Sequence, residues 1–207
     1  MGSDDRQVRF LPVAELSGIG GFRAWPVAES AGRIAISDRL APAEIGAVVA
    51  TLAQMNLDAG DGPDLAGSDT TALLGGLLGR DGLILPGGLE MRDLGTGVTV
   101  VPGCCCGLES WREWAQVPSG EYLWLGHDPS PSIALDGERL RVCQDGGLSG
   151  ESDPEHVVDL PVSLLPELLL SVRRDLVGFL QALPGRPATS RRRAWSSCRW
   201  ASAGAPR

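Results

Sequence analysis

Three adjacent thiols, Cys104, Cys105 and Cys106, and a downstream His127-Asp128 pair are the residues of this chain whose types and spacing could do chemistry. The stretches 102–114 and 122–129 together hold three of the five cysteines, three of the six tryptophans and one of the two histidines. Cys106 stands just before a predicted helix opening at Gly107. The unpaired N–H groups and dipole of a helix N-terminus lower a thiol's pKa. With His127 at the end of the following apolar run and Asp128 beside it, the set holds a nucleophile, a base and an orienting carboxylate. Equally, cysteine is a small core residue, and the flanking glycines suit a tight corner between elements. On that reading the triple-thiol corner is packed inward.

Neighbouring cysteines rarely cross-link, because their Cα atoms are about 3.8 Å apart and a disulfide spans about 4.4–6.8 Å. Three in a row also diverge in direction. A tetrahedral zinc site would then need distant partners such as Cys143, His127 or His156, and no paired C-x-x-C spacing supplies them. No metal or cofactor is therefore expected. Asp58, Asp61 and Asp64 lack the closing glutamate of a calcium loop. The chain contains no lysine, which excludes a Walker-type phosphate site, and neither G-x-S-x-G nor H-E-x-x-H occurs.

Trp111 and Trp114, with Leu108, share one face of the predicted helix at 107–115. They fit core packing, and they fit a recognition surface, since tryptophan is enriched at binding hot spots. Glu109, Arg112 and Glu113 take the other face.

The elements that must position these residues follow from periodicity. The chain has 207 residues, 43% hydrophobic and 21% charged, a globular mixture large enough for its own core. Short apolar runs at 7–15 and 32–37, and a weaker one at Phe22 to Val27, are strand candidates. Helices are predicted at Pro42 to Asn56 and, with Ser68 as cap, at Asp69 to Leu78, where Leu73, Leu74, Leu77 and Leu78 pack. A hairpin joins Leu89–Arg92 to Val98–Val101. Tyr122 to Leu125, apolar on both faces, reads as a central strand. Asp136-Gly137 marks a second hairpin in which Ile133 faces Leu140, with Arg139 and Arg141 on the wetter face. A last strand is expected at His156 to Leu160 and a long amphipathic helix at Leu164 to Leu183. The fold class is α+β, with a single domain over 1–184. Its mainly antiparallel sheet, drawn from residues 83–160, is covered by the two longer helices.

Net charge is −8, and six arginines after position 184 leave −14 on the rest. That acidic body disfavours nucleic acid, except for weak contact through the basic tail at 185–207, which is expected to be disordered. No run of about 18 apolar residues marks a membrane span, and no secretory signal or disulfide framework is evident, so the expected compartment is the cytoplasm.

The segment Pro102-Gly-Cys-Cys-Cys-Gly-Leu-Glu-Ser-Trp-Arg-Glu-Trp114, with Trp124-Leu-Gly-His-Asp-Pro129 and the final helix, resembles a group of cytoplasmic proteins of GC-rich bacteria that has no assigned activity. The order Trp111, Trp114, Gly120, Tyr122 to Leu125 and Asp128 also resembles the SUKH superfamily of bacterial immunity proteins. That resemblance implies an α+β domain that binds and blocks a toxin or another protein, partly through an acidic surface. The reading is then a non-enzymatic protein-binding module, immunity-type or accessory, using Trp111, Trp114 and Asp128, with no small-molecule ligand identified. The alternative is a thiol- or metal-dependent enzyme centred on Cys106 and His127, with Asp128.

Overall fold

Alternating apolar residues build the first strand, β1 (Val8–Leu16), and it is central. The computed structural model describes residues 8–17, 19–29, 32–57, 69–144 and 156–183. β1 pairs antiparallel with β2 (Gly32–Ala35) on one side and with β3 (Gly87–Asp93) on the other, in register from Val8↔Asp93 to Ala14↔Gly87. β3 turns back into the short β4 (Thr99–Val100), giving the order β2-β1-β3-β4. The hairpin predicted around Asp93 to Gly97 is present, with the Asp93 carboxylate accepting from the Gly95 and Thr96 N–H groups.

The second sheet holds β5 (Ser132–Asp136), β6 (Arg139–Cys143) and β7 (Val157–Pro161), all antiparallel. The β5–β6 register differs from the expected one. Asp136 pairs with Arg139, Leu135 with Leu140 and Ile133 with Val142, so the turn is Gly137-Glu138. Gly137 takes the positive φ (59°), so a single glycine at the first turn position suffices. A slip of two residues preserves the faces. Arg139 and Arg141 remain exposed and both reach Asp159 on β7, at 2.7 and 3.6 Å. The sheet expected from residues 83–160 alone is thus two sheets, because β1 supplies the longest partner for β3.

Helix α1 (Pro42–Asn56) has the predicted bounds, with Ile45, Val48 and Leu52 buried. The Glu44 carboxylate accepts from the Ala41 N–H at its start, and Asn56 exchanges two hydrogen bonds with the Ile84 backbone at its end. Phe22 to Val27 is not a strand. It lies along α1, where the Trp25 indole N–H donates to Gly46 O at 2.8 Å and the Ala28 N–H to Ala43 O. A Cβ at Gly46 would overlap the Pro26 carbonyl. Helix α2 (Thr70–Leu78) buries Leu73 and Leu77. Leu74 and Leu78, expected to pack, are exposed because they face away from that seam. Its expected cap Ser68, and the basic tail, lie outside the described residues. Helix α3 (Leu165–Ala182) buries Leu165, Leu169, Val172, Leu176 and Phe179 against β1 and its neighbours.

The segment after the cysteines is a 3-10 helix, Leu108–Ser119, ended by Gly120 in the left-handed conformation (φ 83°). Its buried residues are Leu108, Trp111, Trp114 and Val117. A spacing of three suits a helix of three residues per turn, in which positions i and i+3 eclipse on one face. Trp114 meets Phe10 of β1 edge-on, with ring centroids 5.1 Å apart. The Trp111 indole N–H has no acceptor among the described residues, and Arg112 lies over its ring. Both indoles are buried, Trp111 and Trp114 alike, so the face they share packs into the core.

Tyr122 to Leu125 joins neither sheet. Leu123 and Leu125 are buried, whereas Tyr122 is 88% and Trp124 47% exposed. The segment is two-faced, where the sequence suggested burial on both sides.

One buried cluster joins residues of both sheets, α1, the 3-10 helix and α3, so the chain forms a single α+β domain. Among the described residues no helix is long and apolar enough to cross a membrane. Trp114→Ala is expected to cost about 3–5 kcal/mol, as loss of a buried aromatic does. Tyr122→Ala should stay within about 0.5 kcal/mol of the parent. Urea unfolding of the two variants checks both.

Candidate functional site

The loop of three thiols is clamped on two sides by backbone. On one side the Gly87 N–H donates to Cys106 O (3.0 Å) and the Leu108 N–H to Leu85 O (2.8 Å). On the other, Cys104 and His127 exchange backbone hydrogen bonds at 2.7 and 3.2 Å, and the Gly103 N–H donates to Leu125 O. This second clamp requires two glycines. A Cβ on Gly126 would fall 2.6 Å from the Gly103 carbonyl, and one on Gly103 would overlap the Pro129 carbonyl. Gly126 also has φ 96°, which side-chain-bearing residues rarely adopt. Arg33 of β2 steadies the loop from the sheet by donating to Pro102 O.

The clamp brings Cys104 Sγ to 2.6 Å from His127 Nδ1 and 3.9 Å from Nε2. Cys105 has φ 61°, a conformation costly for a residue with a side chain. That reversal gathers Cys105 with its neighbour: the ligand atoms of Cys104, Cys105 and His127 all lie within 4.8 Å of one another. Asp128, also at positive φ (49°), is exposed, with its carboxylate 3.8 Å from His127 Nδ1. The Trp124 ring lies edge-on to the imidazole at 6.1 Å between centroids.

The electrostatics of the thiols differ from the sequence expectation. Cys106 is pushed up to about 11, first by burial and then by the carboxylates of Glu109 and Glu113, against a lowering by the Gly107 N–H. The helix start gives little help because Glu109 folds back over Gly107 and accepts the Leu85 N–H. The Cys104 thiol is also raised, by desolvation first, then by Cys105 and the carboxylates of Asp128 and Glu15. Both groups therefore hold their protons at neutral pH.

Among the expected site residues, the structure brings His127 and Asp128 together but gives the imidazole Cys104 as its partner, not Cys106. Cys106 turns inward, its sulfur 4.0 Å from Trp124 O, and a Cβ on Gly88 would lie 3.5 Å from it. The triple-thiol corner is not wholly packed inward: Cys105 is exposed and Cys104 half-buried. Cys143 is buried in β6. Trp111 and Trp114 are core residues, and among the described residues the exposed aromatics are Tyr122 and Trp124, which the sequence pattern placed in a central strand buried on both faces. The paired glycines 103 and 126 were the available signal, since each precedes the residue that makes the contact. The chain matches no protein-family model, no curated protein and no solved structure.

A thiol of pKa about 11 is ionised to roughly one part in a thousand at pH 8. Alkylation of Cys106 should therefore be slow there and rise about tenfold per pH unit, as peptide mapping of the labelled protein would show. Because folding raises this pKa from 9.0, the stabilisation is whole below pH 9 and is lost as pH climbs towards 11.

Proposed function

We propose that this chain acts through a thiol–imidazole centre at its surface, with Cys104 as the working sulfur and His127 as its base. The observation that supports this most directly is the 2.6 Å separation of Sγ and Nδ1. With the thiol pKa raised, the resting sulfur keeps its proton, and the imidazole in contact with it is the group that can receive it. As the sulfur bonds to an electrophile, its proton passes to the imidazole, so no free thiolate is needed beforehand. Two further features fit the reading. His127 is half exposed, giving a reagent access. Cys105 and Asp128 both hold strained backbone conformations, and such strain gathers at working sites. The reading keeps His127 and Asp128 from the sequence and replaces Cys106 by Cys104.

The test is the rate of iodoacetamide modification at each cysteine. Cys104 should react fastest at pH 7–8, and His127→Ala should slow it about tenfold or more while leaving Cys106 unchanged. Equal rates at Cys104 with and without the imidazole would sink the proposal.

A protein-docking role, of the immunity type or otherwise, is favoured by one separate observation. Tyr122 and Trp124 are exposed, the Trp124 ring lying edge-on to His127, and tyrosine and tryptophan are enriched at hot spots. In that reading they take the place of Trp111 and Trp114. A Tyr122→Ala/Trp124→Ala double variant would lose a bound protein partner yet keep the Cys104 labelling rate. Retention of every partner by the double variant counts against docking.

A further inference from the structure

We infer that Cys104, Cys105 and His127 form a binding site for a thiophilic d10 metal ion, zinc(II) or copper(I). The inference rests on the thiol–imidazole reading and names the electrophile. Its ground is the convergence of three donors, two sulfurs and an imidazole nitrogen, within 4.8 Å. Adjacent cysteines ordinarily diverge; the left-handed backbone at Cys105 overcomes that divergence. Two thiolates and one imidazole are a soft donor set suited to these ions and poorly suited to magnesium or calcium. Three protein ligands leave a tetrahedral zinc ion one open position, or complete a trigonal copper(I) site. The half-exposed thiol and imidazole and the exposed second thiol give an ion direct entry.

The charges around the site suit a cation better than an anionic nucleophile alone. Asp128 and Glu15 both act on Cys104. The cationic group nearby, Arg33, is directed to Pro102 O. Binding replaces two S–H protons by the ion; the Cys104 proton passes by way of the imidazole, which gives it up before it ligates, and both protons end in solvent. Sulfur and nitrogen donors on one tetrahedral zinc are roughly 3.5 Å apart, given Zn–S of about 2.3 Å and Zn–N of about 2.0–2.1 Å. Cys104 and His127 must therefore part by about 1 Å. The glycine clamp fixes their backbones and leaves the side chains to make that adjustment. Cys106, turned towards Gly88 and Trp124 O, takes no part.

The reduced 207-residue chain is titrated with zinc(II) against a chromophoric chelator and, anaerobically, with copper(I) against a copper(I) chelator; the two arms distinguish the ions. One equivalent of at least one ion should bind. Cys104→Ser, Cys105→Ser and His127→Ala should each weaken binding by about tenfold or more, with circular dichroism unchanged. Cys106→Ser and Cys198→Ser should bind as the parent does. Failure of both ions to compete, or affinity that survives Cys105→Ser or His127→Ala, overturns the inference. If neither ion binds but Cys104 alkylation still depends on His127, the metal is wrong and the thiol–imidazole centre stands. If that dependence is also missing, both fall.

Discussion

Two stretches of backbone can touch closely only where neither carries a Cβ, and here that contact is Gly103 against Gly126. Each glycine's missing side chain is the space occupied by the other strand's peptide. The exchange of hydrogen bonds between Cys104 and His127 follows one residue later on each side. The side chains of those two residues then leave the same clamp in the same direction. A methyl group at either glycine would separate the peptides and carry the imidazole away from the sulfur. The geometry of the candidate site is thus set by steric absence rather than by any attraction between the sulfur and the imidazole.

The rest of the fold holds that clamp still. The cysteine loop is tied at its far end to Leu85 and Gly87, and Gly87 begins the strand that pairs with β1 along seven positions. Directly after the loop, the 3-10 helix is anchored by Trp111 and Trp114, and Trp114 abuts Phe10 of the same β1. A 3-10 helix this long is unusual in isolation, because its hydrogen-bond geometry is poor. Its four apolar residues at spacing three are buried together, and that burial is what makes the conformation favourable. The loop is therefore braced on both flanks by one central strand.

Local periodicity made much of this legible. The helix from Pro42 to Asn56, the turn around Asp93 to Gly97 and the stripe from Leu165 to Phe179 were all readable, because each depends on neighbours a few residues away. The β5–β6 register was misjudged because Asp-Gly invites a turn with both residues at positive φ, whereas Gly137 alone satisfies the turn that forms. The run from Tyr122 to Leu125 reads from sequence as doubly buried, since an apolar ring gives no sign of whether it meets protein or water. Trp111 and Trp114 were readable as one face but not as core or surface. The site itself was half legible. His127 and Asp128 stood out by type, but the choice among three adjacent thiols depends on a contact across 23 positions and on the folding back of Glu109, neither of which a local pattern encodes.

Gln144 has a consequence beyond its place at the end of β6. Its side-chain amide accepts the Val101 N–H at 2.8 Å and donates to the Val101 carbonyl at 3.1 Å. One side chain thus imitates a peptide of an additional strand and ties the tip of the first sheet to the second. Tilting the two sheets apart breaks both bonds at once and leaves a partly buried peptide unsatisfied. Mechanical coupling of this kind favours melting as a shared event, for which a single calorimetric transition of the two sheets is the expected signature.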